Sequence, residues 1–113
     1  MEKGRYRIKI TSQAKLQIRD IAKYIALELQ NPDAALKLID LFEKAIQSLE
    51  QFPERYALVE EKIWRDRKVH YVVVNNYLVY FKVDTAKFEI YVIAVIYGGR
   101  NQQQALLEIV ENQ

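Results

Sequence analysis

The stretch Phe88-Glu-Ile-Tyr-Val-Ile-Ala-Val-Ile-Tyr97 is apolar on both parities apart from Glu89. Successive side chains of an extended chain point to opposite faces. Phe88, Ile90, Val92, Ala94 and Ile96 are therefore expected on one face, and Tyr91, Ile93, Val95 and Tyr97 on the other. A strand of this kind has to be covered on both sides, by its own chain or by a partner.

Two further strand-like runs precede it. Arg67-Lys-Val-His-Tyr-Val-Val-Val and Tyr77-Leu-Val-Tyr-Phe-Lys-Val-Asp84 are rich in β-branched and aromatic residues. Asn75-Asn76 separates them, and asparagine accepts the left-handed backbone that a two-residue hairpin needs. Asp84-Thr85-Ala86-Lys87 leads into the last strand, so the region from Arg67 to Arg100 reads as a β-meander. In a regular meander Arg67 and Arg100 fall at opposite ends of the sheet, unless strand lengths, twist or a bulge bring them closer.

Upstream, Tyr6-Arg-Ile-Lys-Ile10 alternates as a short strand. Thr11 or Ser12 caps an amphipathic helix whose apolar stripe is Ala14, Ile18, Ile21, Ala22, Ile25 and Leu29. Asn31-Pro32-Asp33 ends it and opens a second: a cap, a proline suited to the first turn, and an acid at the positive end of the helix dipole. Ala35, Leu38, Phe42, Ala45, Ile46, Leu49 and Phe52 form the second stripe, which stops at Pro53. The residues from Glu54 to Asp66 read as a polar connection, and those from about 101 to 111 as a short terminal helix with Leu106, Leu107 and Val110 on its apolar side. The expected fold class is α+β, in the order β-α-α-β-β-β-α: an antiparallel sheet with an αα-hairpin on one face, the first strand lying beside the last. One domain is expected over residues 1–113.

Composition narrows the chemistry. A net charge of +2 gives no bulk attraction for nucleic acid. One histidine and no cysteine leave no metal shell and no thiol nucleophile, so no cofactor is expected. The three glycines, Gly4, Gly98 and Gly99, make no phosphate loop. The charged start and the lack of a long apolar run suggest a cytoplasmic protein with no membrane partner. Metal-free RNA cleavage stays open, because Arg67, His70, Tyr97 and Arg100 offer cations and proton-transfer groups. The plainer readings stand beside it: solvated cations, a packed histidine, core tyrosines. Tyr91, Ile93 and Val95, with Leu106, Leu107 and Val110, offer an apolar surface for a partner.

The order of elements, Asn76-Tyr-Leu-Val-Tyr-Phe-Lys-Val-Asp84 and Val92-Ile-Ala-Val-Ile-Tyr-Gly-Gly-Arg100 resemble the RelE/ParE superfamily of toxins from bacterial type II toxin–antitoxin systems. Arg67-Lys68 matches the arginine that commonly opens the family's meander. The ribosome-dependent nucleases of the RelE branch carry an arginine before the Leu-Val-Tyr of the middle strand, where this chain has Tyr77. They also tend to carry a tyrosine or histidine in the C-terminal tail, absent here after Arg100. The long helical hairpin is similar to the ParE branch. The resemblance implies a ParE-like toxin that meets DNA gyrase through Arg67, Lys68, Tyr97 and Arg100. A cognate antitoxin would cover Tyr91, Ile93, Val95, Leu106, Leu107 and Val110. The alternative it implies is a RelE-like mRNA endonuclease acting at the ribosome.

Overall fold

The computed structural model describes residues 5–98. The expected terminal helix, with Leu106, Leu107 and Val110, and also Arg100, lie outside the described residues. The elements are β1 (Arg7–Ile10), α1 (Ser12–Lys23), α2 (Pro32–Gln47), α3 (Lys62–Asp66), β2 (Val69–Val74), β3 (Tyr77–Asp84) and β4 (Glu89–Tyr97). The sheet runs β1-β4-β3-β2. β2, β3 and β4 form the expected antiparallel meander, whereas β1 lies parallel to β4, with Arg7 beside Glu89 and Ile10 beside Val92. The sheet is therefore mixed rather than wholly antiparallel. The helical hairpin between β1 and the meander lets β1 enter in the same direction as β4.

Local chemistry starts and stops these elements as the sequence suggests. Thr11 Oγ1 accepts from the Ala14 amide at 3.2 Å, and Asn31 Oδ1 from that of Ala34 at 3.1 Å, so each helix has a side-chain cap. Asn75 takes φ 53° in the hairpin turn. Asp84 Oδ1 holds the Lys87 amide at 3.1 Å in the next turn.

Helix α1 continues as a π-helical turn, Tyr24–Glu28. Its apolar stripe packs as expected through Ala14, Ile18, Ile21 and Ile25, but Leu29, beyond the π turn, is exposed. Phe52 also leaves its expected stripe. It adopts φ 50° and is 76% exposed, because the chain turns left-handed before Pro53 and carries the ring outward.

The inner layer places the hairpin on one face of the sheet. Leu38, Phe42, Ile46 and Leu49 meet Val74, Val79, Phe81, Ile90, Val92 and Val95. The outer face has its own cluster: Trp64 and Val59 pack with Val69, Tyr80, Ile93, Ala94 and Ile96. The connection expected to be polar thus contains α3, and Trp64 is buried against the sheet.

The parity expected for β4 breaks in the middle. Tyr80 pairs with Ala94 but Phe81 with Val92, which leaves Ile93 as an extra residue, a β-bulge. Val92 and Val95 therefore share the inner cluster, while Ile93, Ala94 and Ile96 share the outer one. A strand apolar on both parities tolerates this slip because either face buries what it receives.

Candidate functional site

Among the described residues, the groups singled out in the sequence do not converge. Arg67 caps the end of α3, and its guanidinium carbon lies 5.4 Å from the centre of the Trp64 ring. Lys68, at φ 58°, turns the chain into β2. Val69 at that end pairs with Lys82 of β3, whereas Tyr97 pairs with Tyr77 at the Asn75-Asn76 turn. Arg67 and Tyr97 consequently stand at opposite ends of the sheet. The regular-meander geometry holds for this pair, and the bulge does not bring them together.

His70 is buried on the inner face. Its Nδ1 lies 2.8 Å from the Tyr56 carbonyl, and a carbonyl only accepts, so Nδ1 carries the proton. The ring stacks on Phe81 at 5.3 Å and 14°. It is a packed histidine with its orientation fixed by the backbone.

Tyr97 is half-exposed, and its ring meets Tyr77 edge-on at 5.7 Å. Burial raises the pKa of the Tyr77 hydroxyl, with Tyr97 and then Tyr24 adding to the effect. Tyr80 on the outer face is pushed up to about 12, first by burial, then by Tyr71 and Glu61. Such a phenol stays protonated at neutral pH and is no general base.

Tyr91, Ile93 and Val95 do not form one open surface. Val95 is buried among the inner-layer residues and Ile93 among the outer, while Tyr91 is half-buried at the rim of the outer cluster. The bulge separates them.

Three contacts escaped the sequence reading. Glu89, the polar exception in β4, is buried with its carboxylate held by Arg7 at 3.2 Å, by Lys9 at 3.1 Å and by the Tyr91 hydroxyl. The Tyr91 hydrogen bond lowers its pKa most, followed by that of Lys9. Its position in an apolar strand was the available signal, since a buried carboxylate needs partners. Gln17 accepts the Val95 amide at 2.7 Å, satisfying β4 just beyond the point where β1 ends. Nothing in a surface-looking glutamine announced that. Trp64, the only tryptophan, was legible as a core candidate by type alone.

Among the described residues no group of three or more His, Cys, Asp or Glu side chains is placed to hold a metal ion. No described helix is long and apolar enough to cross a membrane. The site region is a small mixed sheet with cations at one end, tyrosines at the other and a hairpin behind.

This architecture is shared with known toxins. A chain of the chromosomal ParDE TA system from P. aeruginosa superposes with a TM-score of 0.66 at 18% identity, covering 84% of this chain and 98% of that one. A chain of the toxin–antitoxin complex RelBE2 from Mycobacterium tuberculosis gives 0.57 at 13% identity, covering 82% and 98%. A double mutant of the E. coli toxin RelE in the free state gives 0.59 at 14% identity, covering 96% and 97%. No curated protein matches the sequence. The fold is thus that of the RelE/ParE toxins. Residues 8–102 match the family described as ParE toxin of type II toxin-antitoxin system, parDE, and the chain belongs to it.

Proposed function

We propose that this toxin acts by protein–protein contact on DNA gyrase and is neutralised by a cognate antitoxin. The observation that carries the contact reading is the dispersal of the groups a nuclease would need. Arg67 and Tyr97 lie at opposite sheet ends, and His70 is tied to the Tyr56 carbonyl beneath Phe81. Metal-free RNA cleavage requires a base, a cation and an acid around one phosphate. Contact requires only exposed side chains on a rigid frame, and arginine and tyrosine are the residues that most often dominate such contacts. Membership in a family of type II toxin–antitoxin toxins supports the antitoxin as the partner, and the resemblance to the ParE branch supports gyrase as the target.

Purified toxin added to gyrase should inhibit supercoiling, and toxin added to translating ribosomes should leave mRNA intact. Ribosome-stimulated cleavage without supercoiling inhibition would overturn the proposal in favour of the RelE-like reading. Arg67→Ala and Tyr97→Ala separate the two sheet ends, and only the end that meets gyrase should lose inhibition. Arg100→Ala should lose inhibition while melting normally. Co-expression with the product of a neighbouring small reading frame should yield a stable complex that restores supercoiling.

A further inference from the structure

Two irregularities of the backbone converge at one end of the sheet. Helix α1 passes into its π-helical turn at Tyr24, whose carbonyl accepts the Leu29 amide at 3.2 Å. Strand β4 carries the bulge at Ile93. Tyr91 and Ile93 belong to the outer cluster, so unbroken alternation would send Tyr97 to the outer face as well. The bulge reverses the parity and sets Tyr97 beside Tyr77, a residue of the inner layer. Insertions of this kind re-aim side chains, and both sorts are frequent at functional sites.

What they gather is a group of three phenols. Tyr77 is braced from behind by buried Phe42 of α2, edge-on at 5.6 Å. Tyr97 meets it from the end of β4, and Tyr24 lies close enough to add to the rise in its pKa. Tyr24 and Tyr97 are 56% and 49% exposed. A hollow of about 240 Å³ opens beside Tyr77 and Tyr97, walled also by exposed Val73, Leu78 and the Asn75-Asn76 turn. Among the described residues no charged side chain lines it. It is smaller than the clefts of about 300–1,000 Å³ that hold small molecules, and its wall offers a phosphate backbone no cation. An apolar side chain of a protein suits both its size and its lining.

We propose that Tyr24, Tyr77 and Tyr97 form the surface that meets gyrase, with an apolar side chain of an uncharged gyrase loop entering the hollow beside Tyr97. This rests on gyrase as the target, and it puts the contact at the tyrosine end of the sheet. It also adds Tyr24, which nothing in the sequence singled out. Exposed aromatic rings on a braced frame give up little rotamer freedom on binding, and such residues carry most of the energy of protein contacts. Their hydroxyls supply hydrogen bonds at the wet rim. At the other sheet end Arg67 is already engaged by the Trp64 ring.

The test uses the full chain and purified gyrase. Tyr24→Ala and Tyr97→Ala should each weaken gyrase binding and supercoiling inhibition about tenfold, with the melt and antitoxin binding unchanged. Tyr24→Phe should recover most of the loss, because the ring makes the contact. The chain has no cysteine, so Tyr24→Cys gives a unique handle for a short photo-crosslinker. It should capture gyrase, whereas the same label on Lys62→Cys in α3 should not. A wild type that inhibits gyrase beside an undiminished Tyr24→Ala, or capture from α3 alone, would overturn the surface and leave gyrase as the target. Lost antitoxin binding with intact inhibition would overturn it too. A wild type that never binds gyrase would overturn the target instead; the surface then stands if Tyr24→Ala no longer arrests growth and falls if it still does.

Discussion

Along the first half of β2 the chain covers its own sheet edge, whereas along β1 the cover stops after Tyr6. The Val59 amide donates to the Val69 carbonyl at 2.8 Å and the Tyr71 amide to that of Ala57 at 3.1 Å. That covering segment is anchored at its C-terminal end, by buried Val59 and, further along, by Trp64 from α3. The cover over β1 consists of Glu50 and Gln51, and the next residue, Phe52, points to solvent. The contrast teaches that an edge is closed where buried side chains repay the ordering of a loop, and stays open where they do not. At the open edge, charge does the guarding: Arg7 and Lys9 discourage pairing with like strands.

The sharpest way to break the contrast is Trp64→Ala. It removes the anchor of the closed edge and should destabilise the protein by about 3–5 kcal/mol, measured by denaturant unfolding. Tyr71 exchange should quicken while Ile8 exchange stays unchanged. A loss below about 1 kcal/mol would mean that the outer cluster is a surface patch and that the two edges are alike.

On the open side, Gln17→Leu strands the Val95 amide past the end of β1. The expected cost is about 1–3 kcal/mol, again from unfolding. A neutral result would show that water replaces the glutamine and that this edge is wetter than its burial suggests.

Glu89 joins β1 to β4 through charge, and its lowered pKa fixes the pH at which that joint weakens. The unfolded carboxyl protonates first as pH falls, near the ordinary value of 4.5, while the folded one holds its charge to lower pH. The contribution is therefore complete above the ordinary carboxylate pKa and is lost as pH falls through the folded value. Glu89→Gln should flatten this acid limb in melting temperature against pH. An unchanged limb would place the acid sensitivity elsewhere.

The smallest expected effect is Arg67→Ala, which removes an exposed cation from the Trp64 ring. It should cost about 0.5–1 kcal/mol by the same unfolding measurement. A larger loss would make Arg67 a structural part of the closed edge.

The sequence made the inner layer legible because helical spacing and strand alternation are both periodic, and the hairpin packs through the residues that periodicity names. It was less informative wherever one residue breaks the period. Ile93 slips β4 without any composition signal, since its neighbours are equally apolar. Phe52 counts as apolar by type yet faces solvent because φ turns positive at Pro53's doorstep. Trp64 sits in a charged segment that averages out as polar. At the site, Arg67, His70 and Tyr97 were visible as chemical types, but their separation depends on register. Counting strands put Arg67 and Arg100 at opposite ends, and Arg100 lies outside the described residues.

The parallel register of β1 also orders assembly in time. Arg7 bonds to a residue 82 positions away, whereas β2, β3 and β4 are joined by tight turns. Closing the distant pair carries the larger loop entropy, so the meander can form before β1 has anything to pair with. During synthesis the first strand emerges early and waits for almost the last. Pulse-labelled exchange during refolding should protect the meander amides first and the Lys9 and Thr11 amides last. The toxin's sheet is thus completed by its oldest segment, and until that moment the edge of β4 is available to any strand that arrives sooner.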